Sequence, residues 1–210
     1  MKSLAELINT KESSWKNLQN LLHSASNPIT ILPKNEERAA KSLYSAQLST
    51  RSPIGAVIFE TGGILADHGW IRILGSGCPE LDRSLPDWNI GKSYIHEGDE
   101  PLFLLIADDI LGGFFAINTG GLEGQEGIGS VFYFTPDTKE WENMEIGYTD
   151  FIGFCCNGDV AGFYESFRFH GWEKAISNIN GNQVVVNLNQ PDQHTISISD
   201  AWNLSEPFTL

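Results

Sequence analysis

Residues 101–137, PLFLLIADDILGGFFAINTGGLEGQEGIGSVFYFTPD, constrain the fold of this chain more than any other segment. Two apolar runs meet at Asp108-Asp109 and Gly112-Gly113, a glycine-rich acidic loop follows, and a third run closes on Thr135-Pro136-Asp137. Apolar runs this short, punctuated by turn formers, belong to antiparallel strands joined by tight connections. The spacing predicts a three-strand meander with Asp108 and Asp109 projecting from its first turn.

Helical patterns precede it. Ser3 to Glu6 reads as a capping box, with Leu4, Leu7 and Ile8 at helical spacing. Trp15, Leu18, Leu21 and Leu22 form a second stripe that Asn27-Pro28 ends, because the residue before proline is pushed out of the helical region. Pro33 suits a first helical position, with Glu36 and Glu37 in the favourable first turn and Ala40, Leu43, Tyr44 and Leu48 behind them. Gly62-Gly63 separates the run 56–59 from the run 64–74, read as a strand pair or one long strand broken near His68-Gly69, with Trp70, Arg72 and Leu74 on one face. An irregular stretch then runs from Gly75 to Asp99, a length that in a compact domain marks a functional or poorly ordered loop.

After the meander, Phe151, Phe154 and Cys155 have helical spacing, Asn157-Gly158 breaks it, and Asp159 can cap a second segment carrying Val160, Phe163, Tyr164 and Phe167. From Gly171 on the apolar density falls, and 183–188 and 195–198 read as weak strands. The expected organisation is one α+β domain over residues 1–172, followed by a polar extension over 173–210. The domain has an antiparallel meander sheet, N-terminal helices and a closing aromatic-rich helix.

The strings TGGILADHGWIRILGSG (61–77), LLIADDILGGFFAINTGG (104–121) and FYFTPDTKEWENMEIGYTDFIGF (132–154), followed by FYESFRF (163–169), resemble a bacterial family of unknown function. The order of parts also resembles the SUKH superfamily of Smi/Knr-type and bacterial immunity proteins: a helix with tryptophan, Leu32-Pro33, Gly-Gly before a strand, a meander with a glycine-rich turn and an aromatic helix. The likeness covers about Trp15 to Trp172. The superfamily resemblance implies an α+β domain, no cofactor and a protein-binding role, often the neutralising of a secreted toxin. The long insert after Leu74 and the C-terminal extension depart from that pattern.

Charge narrows the partner classes. With 13 basic and 27 acidic residues the net charge is -14, and residues 97–150 carry twelve acids against the single base Lys139. Phosphate contacts need clustered Lys and Arg, so nucleic acid and anionic membranes are excluded as expected partners and a basic protein is favoured. Three cysteines, two of them adjacent, give no disulfide or metal framework. The N-terminus has no apolar leader and no run approaches the ~20 apolar residues of a membrane span. The expected location is cytoplasmic.

Candidate site residues follow from residue chemistry. Trp70, Arg72, Arg83 and Trp88 flank the long loop and are of the types over-represented at binding hot spots. Asp108 and Asp109 could ligate a hard cation or divide acid and base roles, although aspartate is also an ordinary turn former. The 75–99 loop could serve as a lid over Asp108, Asp109 and Trp141. His96-Glu97-Gly98-Asp99-Glu100 lacks a second histidine at fixed spacing, and no metal is expected. Gly75-Ser-Gly77 lacks a third glycine and is followed by Pro79, no Gly-Lys-Ser/Thr occurs, and no Gly-x-Ser-x-Gly supplies a nucleophile elbow. Cys155-Cys156 with His170 reads as buried small hydrophobes. The leading expectation is a non-enzymatic interaction module that binds a basic partner through an acidic surface. The alternative is a small-ligand-binding protein or hydrolase using the 75–99 loop with Asp108 and Asp109.

Overall fold

The computed structural model describes residues 1–96, 99–122, 127–188 and 193–208. Glu97, Glu123 and Glu126 of the acidic segment, and Gly98, lie outside these residues. Seven strands form one antiparallel sheet in chain order: β1 (Ile29–Leu32), β2 (Gly63–Ala66), β3 (Ile71–Leu74), β4 (Phe103–Asp109), β5 (Phe114–Asn118), β6 (Val131–Phe134) and β7 (Trp141–Asn143). The expected meander is β4–β6, and the expected break at 68–69 is the turn between β2 and β3. A second, two-stranded sheet pairs β8 (Gln183–Val186) with β9 (His194–Ser197).

The α-helices of the described residues are set by their caps and breaks. α1 (Leu4–Leu7) carries its capping box, and α2 (Trp15–His23) ends before Pro28. β1 then takes the residues up to Leu32, so Pro33 does not start the next helix. Instead the Asn35 side chain accepts from the Arg38 N–H at 2.9 Å and opens α3 (Glu36–Ala46). The run 56–59 belongs to α4 (Pro53–Glu60), which has proline in its first turn and Ser52 as its cap. α5 (Leu85–Asn89) lies inside the long loop, and α6 (Tyr148–Asn157) ends at Gly158. α7 (Val160–Phe163) is capped by Asp159, and α8 (Trp172–Ile176) is a short turn of helix. The last, α9 (Ile198–Ser205), caps on Ser197 and ends on Glu206 in the left-handed region.

Both faces of the large sheet are covered. Strands such as β3 (IRIL) and β6 (VFYF) are therefore buried at every position, where a half-exposed sheet would alternate. On one face Phe115 stacks on Tyr133 and packs on Phe151 of α6, and α2 and α4 pack with α6. On the other, Phe114 lies between Trp88 of α5 and Trp202 of α9, and Phe103 contacts Trp202 and Phe208. The C-terminal residues thus supply much of the second cover.

Trp88 and Asn89 pin the middle of the long segment after β3 into the fold. Trp88 is buried, and Asn89 is fully buried. β3 pairs with β4 only as far as Ile73↔Ala107, and beyond it Asn89 occupies Leu105: its amide donates to the Leu105 carbonyl at 2.9 Å, and its Oδ1 accepts from the Leu105 N–H at 2.8 Å. The bulge between Leu105 and Ala107 follows at once. Ile95, by contrast, is exposed.

Candidate functional site

Asp108 and Asp109 end strand β4; the turn that follows them is 110–113. Consecutive strand residues face opposite ways, so these carboxylates serve the two different covers, and both are fully buried (0% exposed).

On the C-terminal side Arg72 sits directly across from Asp108 in register. Its Nη2 lies 2.5 Å from Asp108 Oδ1, and Arg83 Nη2 donates to Asp108 Oδ2. The two guanidinium groups share this one carboxylate, and their Nη groups also donate to residues 181–183 and to the Asp109 carbonyl. Arg72 donates to the carbonyls of Asp109 and, at 2.5 Å, Gln183; Arg83 donates to the Gly181 carbonyl at 2.7 Å and to Asn182 Oδ1 at 3.0 Å. Arg72 and Arg83 are 2% and 7% exposed. Burial pulls the Arg83 guanidinium below its ordinary value, with Asp108 opposing the shift and Arg72 adding to it. Of the residues chosen from sequence as a partner-binding hot spot, Arg72 and Arg83 are therefore occupied by the chain's own residues 181–183.

On the helical side Asp109 is saturated. Oδ1 accepts from the Leu111 and Gly113 N–H groups at 2.8 and 2.9 Å, and Oδ2 from the Tyr133 and Tyr164 hydroxyls at 2.6 and 3.0 Å. Gly113 is required by this closeness, since a Cβ there would stand 2.5 Å from both Asp109 Oδ2 and the Tyr133 hydroxyl. Burial pushes the Asp109 carboxyl above the ordinary carboxylate range, and the hydrogen bonds from Tyr133, Gly113, Tyr164 and Leu111 oppose it. Both tyrosines are pushed well above their ordinary value, first by burial and then by the Asp109 charge.

The folded state thus holds the Asp109 proton more tightly than the unfolded chain. Its contribution to stability is complete below the unfolded value of about 3.9 and is lost as pH rises through the higher folded value. The difference in urea midpoint between wild type and Asp109→Asn should therefore shift against wild type as pH rises across that window. A difference independent of pH would contradict this origin.

Trp70 leaves the face predicted for it. It precedes β3 in helical backbone conformation and packs on Tyr164 and Trp172, on the Asp109 side of the sheet, away from Arg72. Arg168 pairs with Asp67 and lies 4.5 Å from the Trp70 ring and 4.2 Å from that of Trp172. Sequence reading missed Arg168, Trp172 and the hydroxyl roles of Tyr133 and Tyr164; the only trace was the aromatic density of FYESFRF. Trp141 is also apart, four strands from Arg72 on β7, where its Nε1 donates to the Pro207 carbonyl at 2.9 Å. Trp88 does stay with Arg83, whose guanidinium carbon is 5.1 Å from its ring.

Of the candidate group 96–100, Glu97 and Gly98 lie outside the described residues. Among the described residues no group of three or more His, Cys, Asp or Glu could hold a metal ion, and no helix is long and apolar enough to cross a membrane. Burial pushes the Cys155 thiol well up and Cys156 up to about 11, the opposite of an activated nucleophile.

The exposed acids lie around β6 and β7, beside Tyr133 and Tyr164, the hydroxyl partners of Asp109. Asp137, Glu140, Glu142, Glu145 and Asp150 are all exposed around the β6–β7 hairpin and the first turn of α6. Beside the hairpin are two adjoining hollows of about 410 and 230 Å³ that share Pro136, Asp137 and Phe167. Leu111, Val185 and Leu188 line one; Phe163, Tyr133 and Glu142 line the other. The result is an apolar groove with an acidic rim.

A profile of proteins of unknown function, DUF2625, matches residues 4–200. The chain belongs to this family. It is 40% identical over 193 residues to an uncharacterized protein of Haemophilus influenzae, covering 90% of this chain and 84% of the relative. It is 34% identical over 212 residues to the putative uncharacterized protein YbfG of Escherichia coli, covering 97% and 95%. The family match reaches past Trp172 and takes in residues 181–183, which hold Arg72 and Arg83, together with β8, β9 and the first turn of α9.

Proposed function

We propose that the chain is a cytoplasmic protein-interaction module, related to the SUKH superfamily, that binds a basic partner through the acidic hairpin and its groove; an immunity-like role against a toxin is one instance. The observation that carries this reading is the pairing of an apolar floor, with Phe163 and Phe167, and a rim bearing Asp137 and Glu142. Such a surface complements an amphipathic basic segment: apolar contact supplies affinity, while the rim steers association and rejects acidic competitors. Asp108 and Asp109, which an acid–base reading would need at a substrate, have no exposed surface and every oxygen engaged within the fold.

The test is capture of proteins from a lysate of the source cell on the immobilised chain at low and at physiological salt, identified by mass spectrometry. A basic protein whose retention falls with salt supports the reading. Retention of no protein by a folded chain opposes it.

A further inference from the structure

The two hollows of the acidic groove differ in chemistry. Leu111, Val185 and Leu188 make the larger one apolar, whereas the smaller one, of about 230 Å³, combines aromatic rings with the carboxylates of Asp137 and Glu142. Strand register explains the combination. Glu142 of β7 lies directly across from Tyr133 of β6, so both side chains stand on the sheet face that carries α6. Asp137 enters from the hairpin loop, where its Oδ1 accepts from the Thr138 N–H at 2.9 Å. Phe163, at the end of α7, is 38% exposed. Its ring centroid lies 5.3 Å from that of Tyr133 and 4.8 Å from that of Tyr164, with the planes inclined by 61° and 82°. Phe154 packs on it at 5.5 Å. A braced aromatic ring is thus left open to solvent in a hollow that two carboxylates also line.

Charge in this hollow is unbalanced. Asp137 and Glu142 are exposed, and neither has a basic side chain within ion-pair distance among the described residues. The cations near them in chain or space are turned elsewhere: Lys139 Nζ reaches the Leu204 carbonyl at 3.4 Å, and Arg168 pairs with Asp67. Neither lines the hollow. The Tyr133 and Tyr164 hydroxyls both donate to Asp109, so neither phenol offers a donor to an anion. Burial and Asp109 push the Tyr133 hydroxyl up, and the Asp137 charge adds to the shift, so the field of this carboxylate reaches the aromatic wall.

We propose that the smaller hollow is a cation pocket that receives an arginine side chain of the basic partner, with its guanidinium against the Phe163 ring and paired with Glu142 and Asp137. The inference rests on the reading that the acidic groove is the contact surface, and it names the residue that anchors the partner there. A hard metal ion demands six or more oxygen ligands, which a wall of rings does not supply. A lysine ammonium is compact and strongly hydrated, and gives up that water poorly against phenyl groups. Guanidinium is weakly hydrated, stacks on aromatic faces and meets carboxylates through a planar fork of donors.

The experiment is an amide and aromatic NMR titration of the full chain with three peptides, Ac-Leu-Gly-Xaa-Gly-Leu-amide, in which Xaa is arginine, lysine or citrulline. Citrulline keeps the shape of arginine and removes its charge. The expected result is saturable shifts at Phe163 and at residues 137–142 with the arginine peptide, weaker binding of the lysine peptide and none of the citrulline peptide. Glu142→Gln should weaken arginine binding about tenfold, as expected for loss of one charge-assisted contact. Phe163→Leu, which keeps apolar bulk but removes the ring, should weaken it about threefold, the share of an exposed cation–π contact. Lysine bound as tightly as arginine would overturn the guanidinium assignment and leave the acidic groove as the contact surface. Undiminished binding by both variants, or no saturable shift with any peptide while capture still retains a basic protein, would likewise overturn the pocket alone. Citrulline bound as tightly as arginine would oppose both the pocket and the charge-led reading of the groove.

Discussion

Asp108→Asn is expected to lower the free energy of unfolding by about 3–5 kcal/mol, the cost of leaving buried charge without its partner. Arg72 and Arg83 cannot shed their charge, and their only shared carboxylate would be gone. Asp137→Asn, an exposed acid of the same segment, should stay within about 0.5 kcal/mol of wild type. Removing the whole ion cluster together, as Arg72→Met, Arg83→Met and Asp108→Leu, should recover much of the loss, because packed apolar groups avoid the desolvation that the ions carry. Chemical denaturation of the three variants beside wild type distinguishes these outcomes. An Asp108→Asn variant as stable as wild type would mean that the cluster is open to water.

Ending the chain at residue 172 is expected to abolish cooperative unfolding. The carbonyls of Gly181 and Gln183 that satisfy Arg83 and Arg72 would be lost, and Trp88, Phe103 and Phe114 would face water without Trp202 and Phe208. Trp202→Ala isolates the packing part of that loss at about 3–5 kcal/mol, the usual cost of deleting a buried tryptophan. Differential scanning calorimetry of the shortened chain reads the effect directly. A sharp transition near the wild-type midpoint would show that the second cover is dispensable.

The meander was legible in sequence because its turns are written in Gly-Gly and Thr-Pro-Asp and its strands are short apolar runs. Asp108-Asp109 misled for a physical reason. Aspartate before Gly-Gly is ordinary turn chemistry, yet here the strand runs two residues further, because Arg72 lies opposite Asp108 and four donors await Asp109. The side-chain pairings among these join residues 24 to 111 positions apart along the chain, and no local periodicity encodes them. The run 56–59 had no helical partner positions to separate it from a strand; Pro53 and Ser52 settled it as α4. Trp70 followed the alternation only on paper, since a turn residue in helical conformation escapes the strand period.

The candidate surface was half legible. The acidic excess of residues 97–150 was countable, but two of its twelve acids are buried and Glu97, Glu123 and Glu126 lie outside the described residues. Asp99, Glu100, Asp137, Glu140, Glu142, Glu145 and Asp150 remain, and five of these seven gather at the hairpin end. Which apolar residues would share that surface depended on the docking of β8 and of the 163–167 aromatics beside Pro136, a tertiary fact. Of the arginines and tryptophans singled out as binding types, Arg72 and Arg83 hold residues 181–183, while Trp70 packs on Tyr164 and Trp172 on the other face.

The most direct test of the account compares wild type with a Glu140→Lys, Glu142→Lys double variant in the same capture experiment, with folding verified by an unchanged thermal midpoint. The acidic hairpin is predicted to be the contact surface, so a basic protein retained by wild type at low salt should be lost from the variant. Equal retention of that protein by both chains, insensitive to salt, would contradict it.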